Sequence, residues 1–332
     1  PETRDAGFFA GLSHEIKRLY YSFVIDYNNI GSVSTDKDAA ALTLWVGSGR
    51  DQANVIKALI DETFTNKTGI SVNVQLVDMN TLLKAKLVGE GPDVAIQVAN
   101  TNGAAGAVLF TGNDTPVNYG IRGAVLDLAQ FPDYQEILKR FPEAAYTQFM
   151  YDGQLYGLPE TITYPVMFYR KDILDEYSIK IPETWDEFDL AAKLLMRNNM
   201  TVTLPTTVAV DATTAGGIGT NNIYPTLMLQ KDIPIYKDGG KRTNLLSPEA
   251  MVVFEKWTNY YTKMSFPKTL DFYNRFRVGT TPLGISAYSL YNTLMVAAPE
   301  IKGLWDFTAI PGTKREDGTV SHAVAGGGTA CS

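Results

Sequence analysis

Between residues 42 and 98, short β-favouring runs alternate with helical periodicities, and this alternation constrains the fold more than any other feature of the chain. Leu42-Thr43-Leu44-Trp45-Val46 reads as a strand. Ser48-Gly49-Arg50-Asp51 has the spacing of a capping box, and Val55, Ile56, Leu59, Ile60 and Phe64 mark one face of the helix that follows. Lys67-Thr68-Gly69 ends that helix, and residues 70–77 alternate as a second strand. Asn80 caps a shorter helix carrying Leu82, Leu83 and Leu87, which stops at the breaker over residues 89–92. Residues 93–98 supply a third strand. A β-α-β-α-β order predicts an α/β fold with a doubly wound parallel sheet. Ligands bind such sheets off the carboxyl ends of the strands, here residues 47–51 and 97–102.

The 332 residues are enough for about two domains. A second α/β unit begins near Tyr164. Pro182 precedes Thr184-Trp185-Asp186-Glu187, a capping box that opens a helix through Ala191 and Leu195. Ser247-Pro248 opens another, with proline at the first helical position and a buried stripe of Ala250, Phe254, Trp257 and Tyr261. Between them, residues 209–222 are rich in Gly, Thr and Asn and read as a binding loop. Upstream, Phe8, Phe9, Leu12, Ile16, Leu19, Tyr20, Phe23 and Val24 fit an amphipathic helix, followed by a polar linker over residues 31–38. The expected division is residues 1–38 (helix and linker), 39–160 (first lobe), 161–321 (second lobe) and 322–332 (a strand returning towards the first lobe). The chain opens at Pro1 without a leader and stops just after a glycine triplet, so it reads as a piece of a longer polypeptide.

Composition removes several classes of function. Lys plus Arg number 29 against 36 Asp plus Glu, a net charge of −7, and nucleic acid is not an expected partner without a basic face. No apolar run is long enough to span a bilayer. One cysteine, Cys331, and two histidines, His14 and His322, leave no disulfide framework and no Cys-cluster metal site, so neither metal nor cofactor is expected. There is no Gly-x-Ser-x-Gly elbow, P-loop or His-Glu-x-x-His. Gly47-Ser48-Gly49 starts like a dinucleotide fingerprint, but Gln52 stands at the third glycine position. Glu160 with Asp152 would serve a glycosidase in principle; solvated surface charge is the commoner role for such acids. No catalytic residue is assigned.

What remains is a set of amides and aromatics at loop positions. Gln97, Asn100, Asn102, Asn221 and Asn222 offer donors and acceptors together, and Tyr224 and Tyr288 offer rings with polar tips. Sugar hydroxyls need paired donors and acceptors, and the apolar faces of pyranose rings stack on aromatics. The set suits an uncharged polyhydroxylated ligand better than an amino acid.

Several of these segments together resemble a known family. Trp45, the break at Gly69 and Gly91-Pro92-Asp93-Val94-Ala95 look like the first lobe of bacterial ABC-transporter solute-binding proteins of the maltose-binding, family 1 type. GLPETITYPVMFYRKD (residues 157–172), followed by Pro182, Thr184, Trp185 and Glu187, looks like that family's hinge strand and the helix start beyond it. Gly284-Ile285-Ser286-Ala287-Tyr288 and Ile310-Pro311-Gly312 are similar to its later strands, and the likeness runs from about residue 40 to the end. It implies a two-lobed periplasmic-binding-protein-like (type II) fold, apparently truncated at the C-terminus. It further implies an extracytoplasmic monomer, periplasmic or at the cell surface, that closes on a carbohydrate and delivers it to ABC permease subunits without a cofactor. Carried over by position, Arg50 is the polar contact after the first strand, Gln97 and Asn100 the third-strand contacts, and Thr163 the hinge contact. Asn221, Asn222 and Tyr224 fall in the second-lobe loop, and Tyr288 takes the place of the stacking aromatic. Gln97 stands where maltodextrin binders carry an aromatic, and Asn and Thr replace the family's acidic contacts, which points away from maltose itself. A carbohydrate-active enzyme and a sugar-sensing receptor subunit remain alternatives on the same scaffold.

Overall fold

A computed structural model of the chain describes residues 29–31, 41–47, 49–96, 115–205, 223–268, 270–324 and 328–331. These fall into two compact units; the chain passes from the first to the second between Glu160 and Thr161 and returns between Thr329 and Ala330.

The first unit is built on strands β1 (Asn29–Gly31), β2 (Ala41–Val46), β3 (Ser71–Leu76) and β4 (Val94–Ile96). They lie in the order β1-β3-β2-β4, with β2 parallel to β3 and β4, and β1 antiparallel at the edge. Helix α1 (Arg50–Ile60) follows β2, and α2 (Leu82–Leu87) precedes β4. Strand β2 is buried on both faces, as parallel strands are. Leu44 and Val46 pack with Ala53, Val72 and Val74, while Trp45 turns the other way to meet Met79, Leu82, Leu138, Phe149 and Leu155. Its indole Nε1–H donates to Gln75 Oε1 at 3.0 Å.

The β-α-β-α-β reading holds, but its details shift in four places. The α1 face that packs inward is Ala53, Ile56, Lys57 and Ile60, whereas Val55 (69% exposed) and Leu59 (59% exposed) point to solvent, as does Phe64. Two apolar stripes adjoin on this helix, and the alkyl stem of Lys57 completes the buried one while its ammonium pairs with Asp61. The Ser48–Asp51 box does not form: Gly49 occupies the N-cap, with no side-chain capping bond. Asn80 is inside a 3-10 turn (Met79–Thr81), and Thr81 takes the N-cap of α2. Gly31, expected to begin a linker, closes strand β1, which is too short to leave a periodic signal. The helix predicted over residues 8–27 lies outside the described residues. Gly69 ends the α1 segment as expected, at φ 72°, where a residue with a Cβ would be strained.

The second unit holds β6 (Pro165–Arg170), which follows β5 (Pro159–Thr163), the strand that spans the passage between the units. After β6 come α3 (Lys171–Glu176), α4 (Trp185–Arg197), β7 (Val202–Thr203), α5 (Ile223–Gln230) and α6 (Pro248–Thr262). The unit continues with α7 (Phe272–Arg277), β8 (Leu283–Ala287), α8 (Leu290–Ala297) and β9 (Trp305–Thr308). The sheet order is β9-β6-β8-β7, with β6 antiparallel to both neighbours and β7 parallel to β8. Strand β5 pairs separately with β10 (Gly328–Cys331).

Every residue of β6 is buried, and alternate side chains enter different cores. Val166 and Phe168 join Phe272, Phe276, Leu290, Leu294 and Trp305; Met167 and Tyr169 join Trp185, Phe188, Leu195, Leu283 and Ile285. Gly284 stays small because a Cβ there would come within 2.7 Å of Phe272 and Thr203 side-chain atoms. The Thr184–Glu187 capping box forms in full, and Ser247 caps α6 with Pro248 in its first turn, as the sequence predicts. The buried stripe of α6 differs from the expected one. It is Ala250, Val253 and Tyr260, with Trp257 and Tyr261 half-buried and Phe254 41% exposed.

Candidate functional site

The site builds from the register of β6 against β8. Their last pair is Pro165 with Ala287, so the residues just beyond, Tyr164 and Tyr288, meet at the same end of the sheet. The Tyr288 N–H donates to the Tyr164 carbonyl at 2.9 Å, and the two rings lie 10° from parallel with centroids 5.4 Å apart. Tyr291 follows in the first turn of α8; its N–H donates to the Tyr288 carbonyl at 2.9 Å, and its ring is 4° from parallel to Tyr288 at 5.8 Å. Tyr288 thus has parallel, offset rings on both Tyr164 and Tyr291, the arrangement that aromatic quadrupoles favour. Phe307, on β9, meets Tyr288 and Tyr291 edge-on at 5.4 and 5.8 Å, and Trp305 meets Tyr291 at 5.8 Å. Tyr288 and Tyr291 are half-buried; Tyr164 is 42% exposed.

The other site expectations distribute differently. Tyr224, in the first turn of α5, packs its ring on Phe254 at 5.7 Å and Trp257 at 5.8 Å, within the α4–α6 core rather than beside Tyr288. Burial there pushes its phenol pKa above the ordinary value. Arg50 is exposed at the first position of α1, in the first unit, and Thr163 is the last residue of β5. Gln97, Asn100, Asn221 and Asn222 lie outside the described residues, as do Asn102 and the loop over residues 209–222. Of the two carboxylates considered for hydrolysis, Asp152 sits in a turn at φ 50° and Glu160 lies in β5, both exposed.

Sequence reasoning placed Tyr288 at a strand end but passed over Tyr164, Tyr291 and Phe307. Two signals pointed to the tyrosines: Tyr164 directly precedes Pro165 at the start of a strand, and Tyr291 follows Tyr288 by one helical step of three.

Away from this site, Asp189 on α4 is a carboxyl group whose pKa is raised. Burial pushes it up, against the opposing pull of Lys256, whose ammonium stands 4.0 Å away, and of the Tyr260 hydroxyl. These groups line a cleft of about 310 Å³ together with Asn259 and Met264. Among the described residues, no group of three or more His, Cys, Asp or Glu side chains could hold a metal ion, and no helix is long and apolar enough to cross a membrane.

Residues 60–331 match the family described as bacterial extracellular solute-binding protein. A stretch of 76 residues, 22% of this chain, is 34% identical to an arabinooligosaccharide-binding protein of Halalkalibacterium halodurans and spans 17% of that protein's length. Among solved structures, an ABC transporter solute-binding protein from Thermotoga lettingae, bound with alpha-D-tagatose, matches with a TM-score of 0.56 at 22% identity, over 88% of this chain and 72% of the other. The sugar-binding protein MalE from Xanthomonas citri matches with a TM-score of 0.62 at 19% identity, over 88% and 70%. At these identities the structural likeness establishes the fold, a periplasmic-binding-protein-like α/β architecture.

Proposed function

The chain belongs to the bacterial extracellular solute-binding proteins, and from that premise we propose that it is the receptor component of an ABC transporter, binding a carbohydrate and handing it to a membrane permease. The observation that carries the carbohydrate reading is the row of parallel tyrosines, Tyr164, Tyr288 and Tyr291, at one end of the second unit's sheet. A sugar ring is polar at its rim and apolar on its faces, and tyrosine matches both, with a ring face for C–H bonds and a hydroxyl for the rim. The names of the relatives, which include binders of arabino-oligosaccharide and of tagatose, support the same ligand class.

The protein acts by binding and release, without chemistry on the ligand, as a monomer outside the cytoplasm. Its partners are the sugar and the permease subunits; a net charge of −7 gives nucleic acid nothing to hold. The permease step rests on family membership alone.

A thermal-shift screen tests the ligand class. A ligand that binds only the folded chain raises Tm in proportion to the logarithm of its concentration over Kd. Oligosaccharides should raise it in a saturable, dose-dependent way, and amino acids and short peptides should leave it unchanged. Stabilisation by a peptide or amino acid with none by any mono- or oligosaccharide would refute the carbohydrate reading.

A further inference from the structure

We propose that Tyr164, rather than Tyr288, is the ring on which a bound sugar stacks, with Tyr288 and Tyr291 forming the rigid support behind it. This rests on the reading of the chain as a carbohydrate receptor and assigns the contact within it.

The burial pattern separates the three rings. Tyr291 is held by Tyr288, Trp305 and Phe307, and Tyr288 by Tyr164, Tyr291 and Phe307. Both pack against the core of Phe168, Phe276, Leu290 and Leu294. Half-buried, with two parallel ring neighbours and an edge-on phenylalanine, Tyr288 offers a ligand less surface than Tyr164 does. Tyr164 stands at the end of the row, with Tyr288 as its ring partner, and at 42% it keeps substantial surface in solvent.

The backbone fixes that ring before any ligand arrives. Pro165 confines the preceding residue to extended conformations. The Tyr164 carbonyl accepts the Tyr288 N–H at 2.9 Å, and β6 begins at the next residue with every side chain buried. Ring stacking on Tyr288 then limits the side chain as well. An exposed aromatic normally loses rotamer freedom on binding, and a ring already held in place avoids most of that loss. A large ring that is held in place and still 42% exposed has the property expected of a ligand platform. The ligand chemistry that fits is a six-membered sugar ring whose C–H bonds line one face, laid on Tyr164 with its hydroxyls projecting past the ring edge.

The test is titration calorimetry on the full chain with maltotetraose, arabinotriose and D-glucose as probes, comparing the unsubstituted protein with Tyr164→Ala, Tyr164→Phe and Tyr236→Ala. Tyr236, 63% exposed in a hairpin elsewhere in the unit, controls for loss of an exposed ring. For a probe that the unsubstituted chain binds, Tyr164→Ala should weaken affinity by roughly tenfold, the scale of a lost stacking contact. Tyr164→Phe and Tyr236→Ala should stay within about twofold of it. A second readout does not depend on the alanine variant folding. Nitration by tetranitromethane, mapped by mass spectrometry on the unsubstituted chain, should fall at Tyr164 when the sugar saturates and stay constant at Tyr236. Equal affinity in Tyr164→Ala, or nitration of Tyr164 indifferent to bound sugar, overturns this assignment and leaves the carbohydrate reading standing. Failure of the unsubstituted chain to bind these probes and every other mono- or oligosaccharide of the thermal-shift screen overturns both together.

Discussion

The indole Nε1–H of Trp185 donates to Gln230 Oε1 across 2.8 Å, and both residues are buried. Trp185 opens α4 and Gln230 closes α5, so one side-chain amide ties the start of one helix to the end of another. The same oxygen accepts from the Thr313 hydroxyl at 2.8 Å, and the amide nitrogen donates to the carbonyls of Pro311 (3.1 Å) and Ala323 (3.2 Å). Gln230 therefore fills its bonding capacity inside the protein and fastens residues 311–323 onto the helices.

Replacing Gln230 with alanine strands the Trp185 indole N–H and the Pro311 carbonyl in the interior. Each buried polar group without a partner is costly, and the variant should lose roughly 2–4 kcal/mol of stability. Urea denaturation followed by tryptophan fluorescence reads it directly. A midpoint equal to that of the unsubstituted chain would mean that water replaces the amide without penalty.

The capping box of α4 gives a smaller, pH-dependent effect. Thr184→Ala should cost about 1 kcal/mol. The Glu187 carboxylate accepts the N–H groups of Glu183 at 2.8 Å and Thr184 at 3.1 Å, and these bonds hold its pKa below the usual carboxylate range. A lowered folded pKa stabilises the protein above the unfolded value and loses that stabilisation as pH falls through the folded value. Glu187→Gln should accordingly lower Tm at neutral pH and converge with the unsubstituted chain in acid. Parallel Tm curves for the two proteins across the acid limb would rule out this source of pH dependence.

Asp189 carries the opposite sign. Its pKa is raised by burial, so its folded state holds a proton that the unfolded state has released in the window between the two values. Stability is then greatest below the unfolded pKa and is lost as pH rises through the folded one. Asp189→Asn should raise Tm at neutral pH and leave it nearly unchanged in acid. A fall in Tm at neutral pH would show that the attraction to Lys256 outweighs desolvation.

Tyr288→Ala should reduce both affinity and stability. The ring packs with Tyr164, Tyr291 and Phe307 over a buried core, and its removal should cost about 1–3 kcal/mol of folding, less than a fully buried aromatic. Tyr288→Phe keeps the packing and should stay close to the unsubstituted protein in Tm. Chemical denaturation of the two variants separates packing from the hydroxyl; an alanine variant as stable as the parent would place Tyr288 outside the core.

Much of the fold was legible because parallel strands and full capping boxes leave strong local signals. Thr184 and Glu187 gave the start of α4, whereas Ser48 and Asp51, with the same spacing, did not cap α1. The helix starts one residue later than that spacing requires, with Gly49 at the N-cap, which moves Asp51 out of the third helical position. Helix faces were harder. On α1 the residues 55, 56, 59 and 60 are all aliphatic, and only Ile56 and Ile60 turn inward, with Lys57 between them. On α6 the large ring of Phe254 is the stronger local signal, yet the smaller Val253 is the residue that is buried. The tyrosine row was legible only at Tyr288, because pairing of β6 with β8 brings Tyr164 across 124 positions of sequence, a separation no local pattern encodes.

The central claim is that the chain binds a carbohydrate and releases it unaltered. Equilibrium dialysis of the full chain against a radiolabelled oligosaccharide found in the thermal-shift screen, followed by chromatography of the recovered ligand, measures both halves at once. The account predicts saturable binding and recovery of the intact sugar after prolonged incubation. Shortened or rearranged sugar, formed in an amount that grows with protein and vanishes when Glu160 or Asp152 is replaced, would contradict it and make the protein a glycoside hydrolase.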